Sequence, residues 1–190
     1  VPEVFISVDV ETAGPAPCAH PLLSLGACLV DDPRRMFYAE LRPLTSEVDP
    51  AALAISGLDL DALAAEGLPP AEAMTRFSSW VGEVTPPGGR PVFVAFNAPF
   101  DWMFVADYFR RFDLPNPFGH AALDIKALFM GATGEPWERT SFSAVAGRLG
   151  LDPELPHHAL QDALIQAEVF RRLLAMLPNP SPDPNEERMR

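Results

Sequence analysis

Between Val4 and Glu11 the chain alternates: Val4, Ile6, Val8 and Val10 are interleaved with Phe5, Ser7, Asp9 and Glu11. Period two predicts a β-strand, and it puts Asp9 and Glu11 on one face, about 7 Å apart along the strand. After Gly14 comes a loop punctuated by prolines, PAPCAHP. Strand patterns return at Leu25 to Val30 and Met36 to Leu41, separated by Asp31-Asp32-Pro33, so residues 4–42 read as a three-stranded meander. Residues 50–66 read as short helices broken at Ser56-Gly57. A longer helix starts at Pro70 and carries Met74, Phe77, Val81 and Val84 at helical spacing, ending at Pro86-Pro87-Gly88-Gly89.

Further along, Pro91 to Phe96 reads as a short strand, and Asn97-Ala98-Pro99 opens a helix reaching about Phe112. A strand at Ala121 to Ile125, a helix at Phe142 to Leu149 and a long helix at Ala159 to Leu177 follow. Strands first, then strands alternating with helices, predict an α/β domain with a mixed sheet flanked by helices. One domain over residues 1–177 is expected, with residues 178–190 a Pro-rich disordered tail.

Two helices carry an acid where the pattern asks for an apolar residue. Asp101, Phe104, Val105, Tyr108 and Phe112 share one helix face, and so do Asp162, Ile165, Val169 and Leu173. Taken singly, each acid could be a first-turn residue complementing the helix dipole, and the strand acids could simply face water. Taken together, Asp9, Glu11, Asp101 and Asp162 pose one problem. Carboxylates turned toward a core cost several kcal/mol each unless a cation pairs with them. Arg110, Arg111, Arg171 and Arg172 lie toward the far ends of these helices. A pair of divalent metals meets the need of all four acids, and an all-oxygen ligand set favours Mg²⁺ or Mn²⁺ over Zn²⁺. Beside Asp162 stand His157 and His158, either exposed loop residues or the source of a general base, since histidine titrates near neutrality.

Composition narrows the partners. Of 190 residues 48% are hydrophobic, enough for a substantial core, and the net charge of −12 argues against a protein that coats nucleic acid. Local grip on a phosphate chain is still compatible, because thirteen of the fourteen basic residues are arginines. Arginine pairs occur at 34–35, 110–111 and 171–172, but no dense basic cluster does. Cys18 and Cys28 form no CxxC and no disulfide framework. No apolar run reaches membrane-spanning length, so a soluble, cytoplasmic protein without a membrane partner is expected.

These residues resemble the DnaQ-like, or DEDDh, 3′→5′ exonucleases. DVETAG resembles the first family motif and supplies Asp9 and Glu11; FNAPFD resembles the second and supplies Asp101. HHALQD resembles the third, a histidine and an aspartate with four residues between them, which selects His157 over His158 and pairs it with Asp162. The likeness runs over roughly residues 3–177, through PAALAISGLD, AALDIKALFMG and SFSAVAGRLGL, and within the family looks most like ribonuclease T and the polymerase III epsilon subunit. It implies a ribonuclease H-like fold with a mixed five-stranded sheet. It also implies two-metal hydrolysis of single-stranded DNA or RNA from the 3′ end, releasing nucleoside 5′-monophosphates. Asp9 would bridge two Mg²⁺ or Mn²⁺ ions, with Glu11, Asp101 and Asp162 completing the site and His157 acting as base. Thr12, Ala13 and Phe100 would meet the terminal nucleotide. The implied partners are 3′ ends of single strands, with a second copy of the chain or a polymerase as candidate protein partners. A fold kept only for binding, without catalysis, is the competing reading. Family members often have His where this chain has Ser56 and Phe96, which bears on substrate preference.

Overall fold

A computed structural model describes residues 1–177. Among them five strands form one sheet: β1 (Glu3–Thr12), β2 (Leu22–Leu29), β3 (Met36–Glu40), β4 (Arg90–Ala95) and β5 (Ala122–Asp124). Their order is β3-β2-β1-β4-β5. β1 to β3 make the antiparallel meander read from the sequence, while β4 and β5 run parallel to β1. Seven α-helices accompany them: α1 (Pro50–Ser56), α2 (Leu60–Glu66), α3 (Pro70–Val84), α4 (Ala98–Arg111), α5 (Ile125–Thr133), α6 (Phe142–Arg148) and α7 (Ala159–Met176). This is the mixed, helix-flanked α/β sheet that the alternation predicts.

The two faces of β1 divide the core. Val4, Ile6, Val8 and Val10 pack with Met74, Phe77, Phe104 and Tyr108 of α3 and α4. Phe5 lies on the other face, edge-on to Phe170 of α7 with ring centroids 5.1 Å apart, in a second cluster that includes Ile125, Phe129 and Val145. Full burial of each such ring contributes roughly 1.5–3 kcal/mol. Asp9 and Glu11 share the face of Phe5, and so lie on the side covered by α7.

Three details depart from the sequence reading. β2 begins at Leu22, not Leu25, because Leu22 already pairs with Thr12 and its N–H donates to the Tyr108 hydroxyl at 2.8 Å. The strand expected through Ile125 stops at Asp124, which caps an unexpected helix, α5, by accepting from the Lys126 N–H at 2.9 Å. The buried stripe of α7 runs through Asp162, Gln166, Val169 and Leu173, whereas Ile165 is only half-buried. The tail expected to be disordered from Pro178 lies outside the described residues.

Candidate active site

The site forms where β1 outruns β4. Their pairing ends at Ser7↔Val94, so on this side no strand accompanies Asp9 to Thr12. α4 enters the notch. Asn97 adopts the left-handed conformation (φ 64°, ψ 46°), which Asn tolerates better than most residues and which turns the chain from β4 into α4. Asp101 then sits in the first turn, 4% exposed, and its Oδ1 accepts from the Val10 N–H at 3.1 Å. The carboxylate thus takes a β1 edge donor that a strand partner would otherwise have satisfied.

α7 closes the site from the opposite face. Gly26 pairs with Asp9 across β1 and β2, and a Cβ on Gly26 would collide with the backbone of Ala159 and Leu160. Only glycine lets the first turn of α7 settle on the strand there, and that contact sets Asp162 beside Asp9 and Glu11. One turn on, the Gln166 Nε2 donates to Asp9 Oδ1 at 2.6 Å while its Oε1 accepts from the Phe96 N–H at 2.8 Å. Gln166, buried at 1% exposure, therefore ties α7 to β1 and to the end of β4. Sequence reasoning missed it, although its signal was present: Gln166 stands at i+4 from Asp162 on the same buried face.

Every carboxylate of the group is pushed toward its protonated form. Burial raises Asp9 well above the usual range, the charges of Asp101, Asp162 and Glu11 add to this, and the Gln166 donation partly offsets it. Burial and then Asp162 lift Glu11 to about 7. Asp101 is raised mainly by burial, with Glu11 and Asp124 adding to it and the Val10 N–H opposing. Burial lifts Asp162 to about 6 against the pull of His157 and His158. Among the described residues no arginine or lysine takes part. Arg111 is held by Asp107, while Arg171 and Arg172 are both held by Glu168.

The histidines diverge. His157 is exposed on the loop before α7, with φ at 55°, and a ring nitrogen of it, a Glu11 oxygen and an Asp162 oxygen lie within 4.8 Å of one another. His158 caps α7 and stacks on Tyr38 of β3, ring centroids 4.8 Å apart, with its Nδ1 buried and unpartnered. The structure thus separates the two candidates by place: one beside the carboxylates, one braced against the sheet.

A divalent cation fits this set. Asp162 Oδ1 is buried without any hydrogen-bond partner, and the donors are carboxylate oxygens with one imidazole at the rim. Of the expected substrate contacts, Phe100 is half-buried, its ring 5.4 Å from that of Phe104. The Thr12 hydroxyl donates to Gly14 O at 2.9 Å; the Ala13 N–H donates to Pro21 O, and Ala13 O accepts from the Asp49 N–H. Asp124, also missed from sequence, accepts from the Asn97 N–H at 3.2 Å and so steadies the turn into α4. A cavity of about 580 Å³ at the opposite end of β1, between Phe5, Arg90 and Leu123, includes none of these groups. Among the described residues no helix is long and apolar enough to cross a membrane.

No family model matches the chain. It is, however, 43% identical over 169 residues to the 3′–5′ DNA exonuclease Cap18 of Escherichia coli, covering 89% of this chain and 90% of that protein. It is 24% identical to a PolC-type DNA polymerase III of Thermotoga petrophila over 91% of this chain but only 12% of the polymerase. Among solved structures, the nuclease domain of 3′hExo, a DEDDh family member bound to rAMP, superposes with a TM-score of 0.77 at 15% identity, covering 90% and 92% of the two chains. E. coli exonuclease I in complex with a dA16 oligonucleotide superposes at 0.71 and 16% identity, over 90% of this chain and 40% of that one. The sheet is that of the ribonuclease H-like fold these nucleases share, and with the Cap18 likeness running almost end to end, the chain belongs to the DnaQ-like, or DEDDh, family of 3′–5′ exonucleases.

Proposed function

We propose that this enzyme hydrolyses the 3′-terminal phosphodiester bond of single-stranded DNA or RNA and releases nucleoside 5′-monophosphates. The observation that carries the reading is the convergence of four carboxylates on one notch, with no arginine or lysine beside them among the described residues and an unpartnered buried oxygen on Asp162. Asp9, whose carboxyl feels the charges of the other three, would together with Glu11, Asp101 and Asp162 hold two divalent cations, Mg²⁺ or Mn²⁺. When bound, such a pair lowers the pKa of the attacking water and neutralises charge on the leaving oxygen.

The chain's own residues do the rest. Gln166 orients Asp9, and the Val10 N–H fixes Asp101, so the ligands are preorganised. His157 would take one proton from the attacking water as the water oxygen bonds to phosphorus; the phosphorus–O3′ bond breaks and the departing 3′-oxygen takes a proton from solvent water. Phe100, beside Asp101, offers a ring for the terminal base, and Thr12 and Ala13 shape the wall at the end of β1. The name of the 43% identical relative supports DNA as the first substrate to test. A cytoplasmic setting is in keeping with free thiols at Cys18 and Cys28. The polymerase likeness supports a second reading, proofreading beside a polymerase, which would appear as mismatched 3′ termini removed faster when a polymerase partner is present.

The test is digestion of 5′-labelled DNA and RNA oligonucleotides, single- and double-stranded, with Mg²⁺ or Mn²⁺. A ladder shortening from the 3′ end, with mononucleotide product, is expected on single strands and absent for D9A, whose circular dichroism stays native. Normal digestion by D9A would overturn the assignment.

A further inference from the structure

The edge of the site beyond β5 carries a feature that the hydrolysis itself does not use. α5 starts at this end of the sheet, because Asp124 both caps it and accepts from Asn97 ahead of α4. The charge of Asp124 is felt at Asp101. α5 leads away, Gly134 turns the chain in the left-handed conformation (φ 72°), and a 3₁₀ turn, Trp137–Arg139, brings it back. Trp137 lands beside the start of α5, with the Lys126 ammonium 4.2 Å from its ring centroid. The chain then runs on to Phe142, whose ring meets that of Phe96 edge-on at 5.2 Å, and the Phe96 N–H is held by Gln166. Two short paths, through Asp124 and through Phe96, thus connect the Trp137 turn to the carboxylates.

Trp137 is 55% exposed, and it is the one aromatic among the exposed large hydrophobic side chains of the described residues. The open indole offers a surface on which a planar group can stack. Lys126 is the only lysine of the chain, and it belongs to none of the salt bridges among the described residues. Arg139, two residues from Trp137, is by contrast occupied by Glu135. In a chain of net charge −12, an ammonium without a carboxylate partner, set over an exposed indole, suits a planar base joined to a phosphate.

We propose that Trp137 and Lys126 form a subsite for the strand upstream of the 3′ terminus, with a base stacking on the indole and a neighbouring phosphate paired with the ammonium. The inference rests on the single-strand reading above. It assigns the β5–α5 edge as the path by which the strand leaves the site, and makes the enzyme favour longer strands over very short ones.

The experiment compares kcat/KM for oligo-dT of about fifteen nucleotides with kcat/KM for a dT trinucleotide, in wild type, W137A, W137F and K126A. Stacking on an aromatic side chain predicts that the long-to-short ratio falls about tenfold in W137A and is mostly restored in W137F. For K126A, the salt dependence of log(kcat/KM) on the long strand should flatten by about 0.7, the value of one phosphate contact on a single strand. An unchanged ratio in W137A, or one that W137F lowers as much as W137A does, would overturn the subsite. Wild type that degrades neither oligonucleotide would instead remove the single-strand reading, and the subsite with it.

Discussion

Asp101 and Asp162 are the same residue type in the same position, the first turn of a helix aimed at one notch, yet the fold treats them oppositely. Asp101 is a structural acceptor: it satisfies the Val10 N–H, which has no strand partner on that side. Asp162 leaves Oδ1 buried with nothing to accept from. The α4 side of the site is therefore complete as folded protein, whereas the α7 side keeps an acceptor that a bound cation would occupy. Burial raises both carboxylates and backbone donors oppose it at both, Val10 at Asp101 and His157 and His158 at Asp162, yet only Asp162 keeps a buried oxygen without a partner.

Substitutions break this contrast in a graded way. The largest effect belongs to His157 on the α7 side: H157A should lower kcat by about 10²–10⁴-fold, the usual yield of a positioned general base, read from initial rates of mononucleotide release. Next comes Gln166, which joins the two sides through Asp9. Q166A should cost about 10–100-fold in kcat or in metal affinity, and an unaltered enzyme would show that Asp9 needs no such support.

Stability in chelator then separates the two acids by sign. D101A orphans the Val10 N–H and should destabilise by about 1–3 kcal/mol in urea unfolding. D162A removes a buried carboxylate with one unpartnered oxygen and should leave the metal-free protein as stable as wild type or more so. Equal losses in both variants would erase the contrast.

The smallest effect is the pH dependence of the metal-free fold. Glu11 and Asp162 have folded pKa values, about 7 and about 6, above the ordinary 4.5 and 3.8 of the unfolded chain. The folded state then binds more protons than the unfolded one, so these two groups favour folding at about pH 4 and lose that contribution as pH rises to about 7. Melting temperature in chelator should fall across that window. Saturating Mn²⁺ should flatten or reverse the slope.

Much of this was legible in the chain because burial leaves a periodic trace. Period two exposed Asp9 and Glu11, and period 3.6 exposed Asp101 and Asp162, each as an acid in an apolar stripe. What stayed hidden depends on neighbours distant in sequence. Gly26 looks like any strand glycine until α7 packs on it. Gln166 went unseen because the α7 stripe was drawn through Ile165, a shift of one position that a helix of 3.6 residues per turn easily absorbs. α5 went unseen because Asp124 ends a strand and caps a helix at once, leaving no loop to mark the boundary. Between His157 and His158, adjacent in sequence, the folded chain makes the distinction by place: His157 stands beside Glu11 and Asp162, and His158 stacks on Tyr38.

The central claim, that these carboxylates exist to hold divalent cations, is tested most directly by calorimetric titration of Mn²⁺ into wild type and D9A at neutral pH. Two ions bound by wild type, with proton release from the raised carboxyls and at least one ion lost in D9A, is the predicted result. Binding that D9A leaves unchanged, or no binding by wild type, would contradict it.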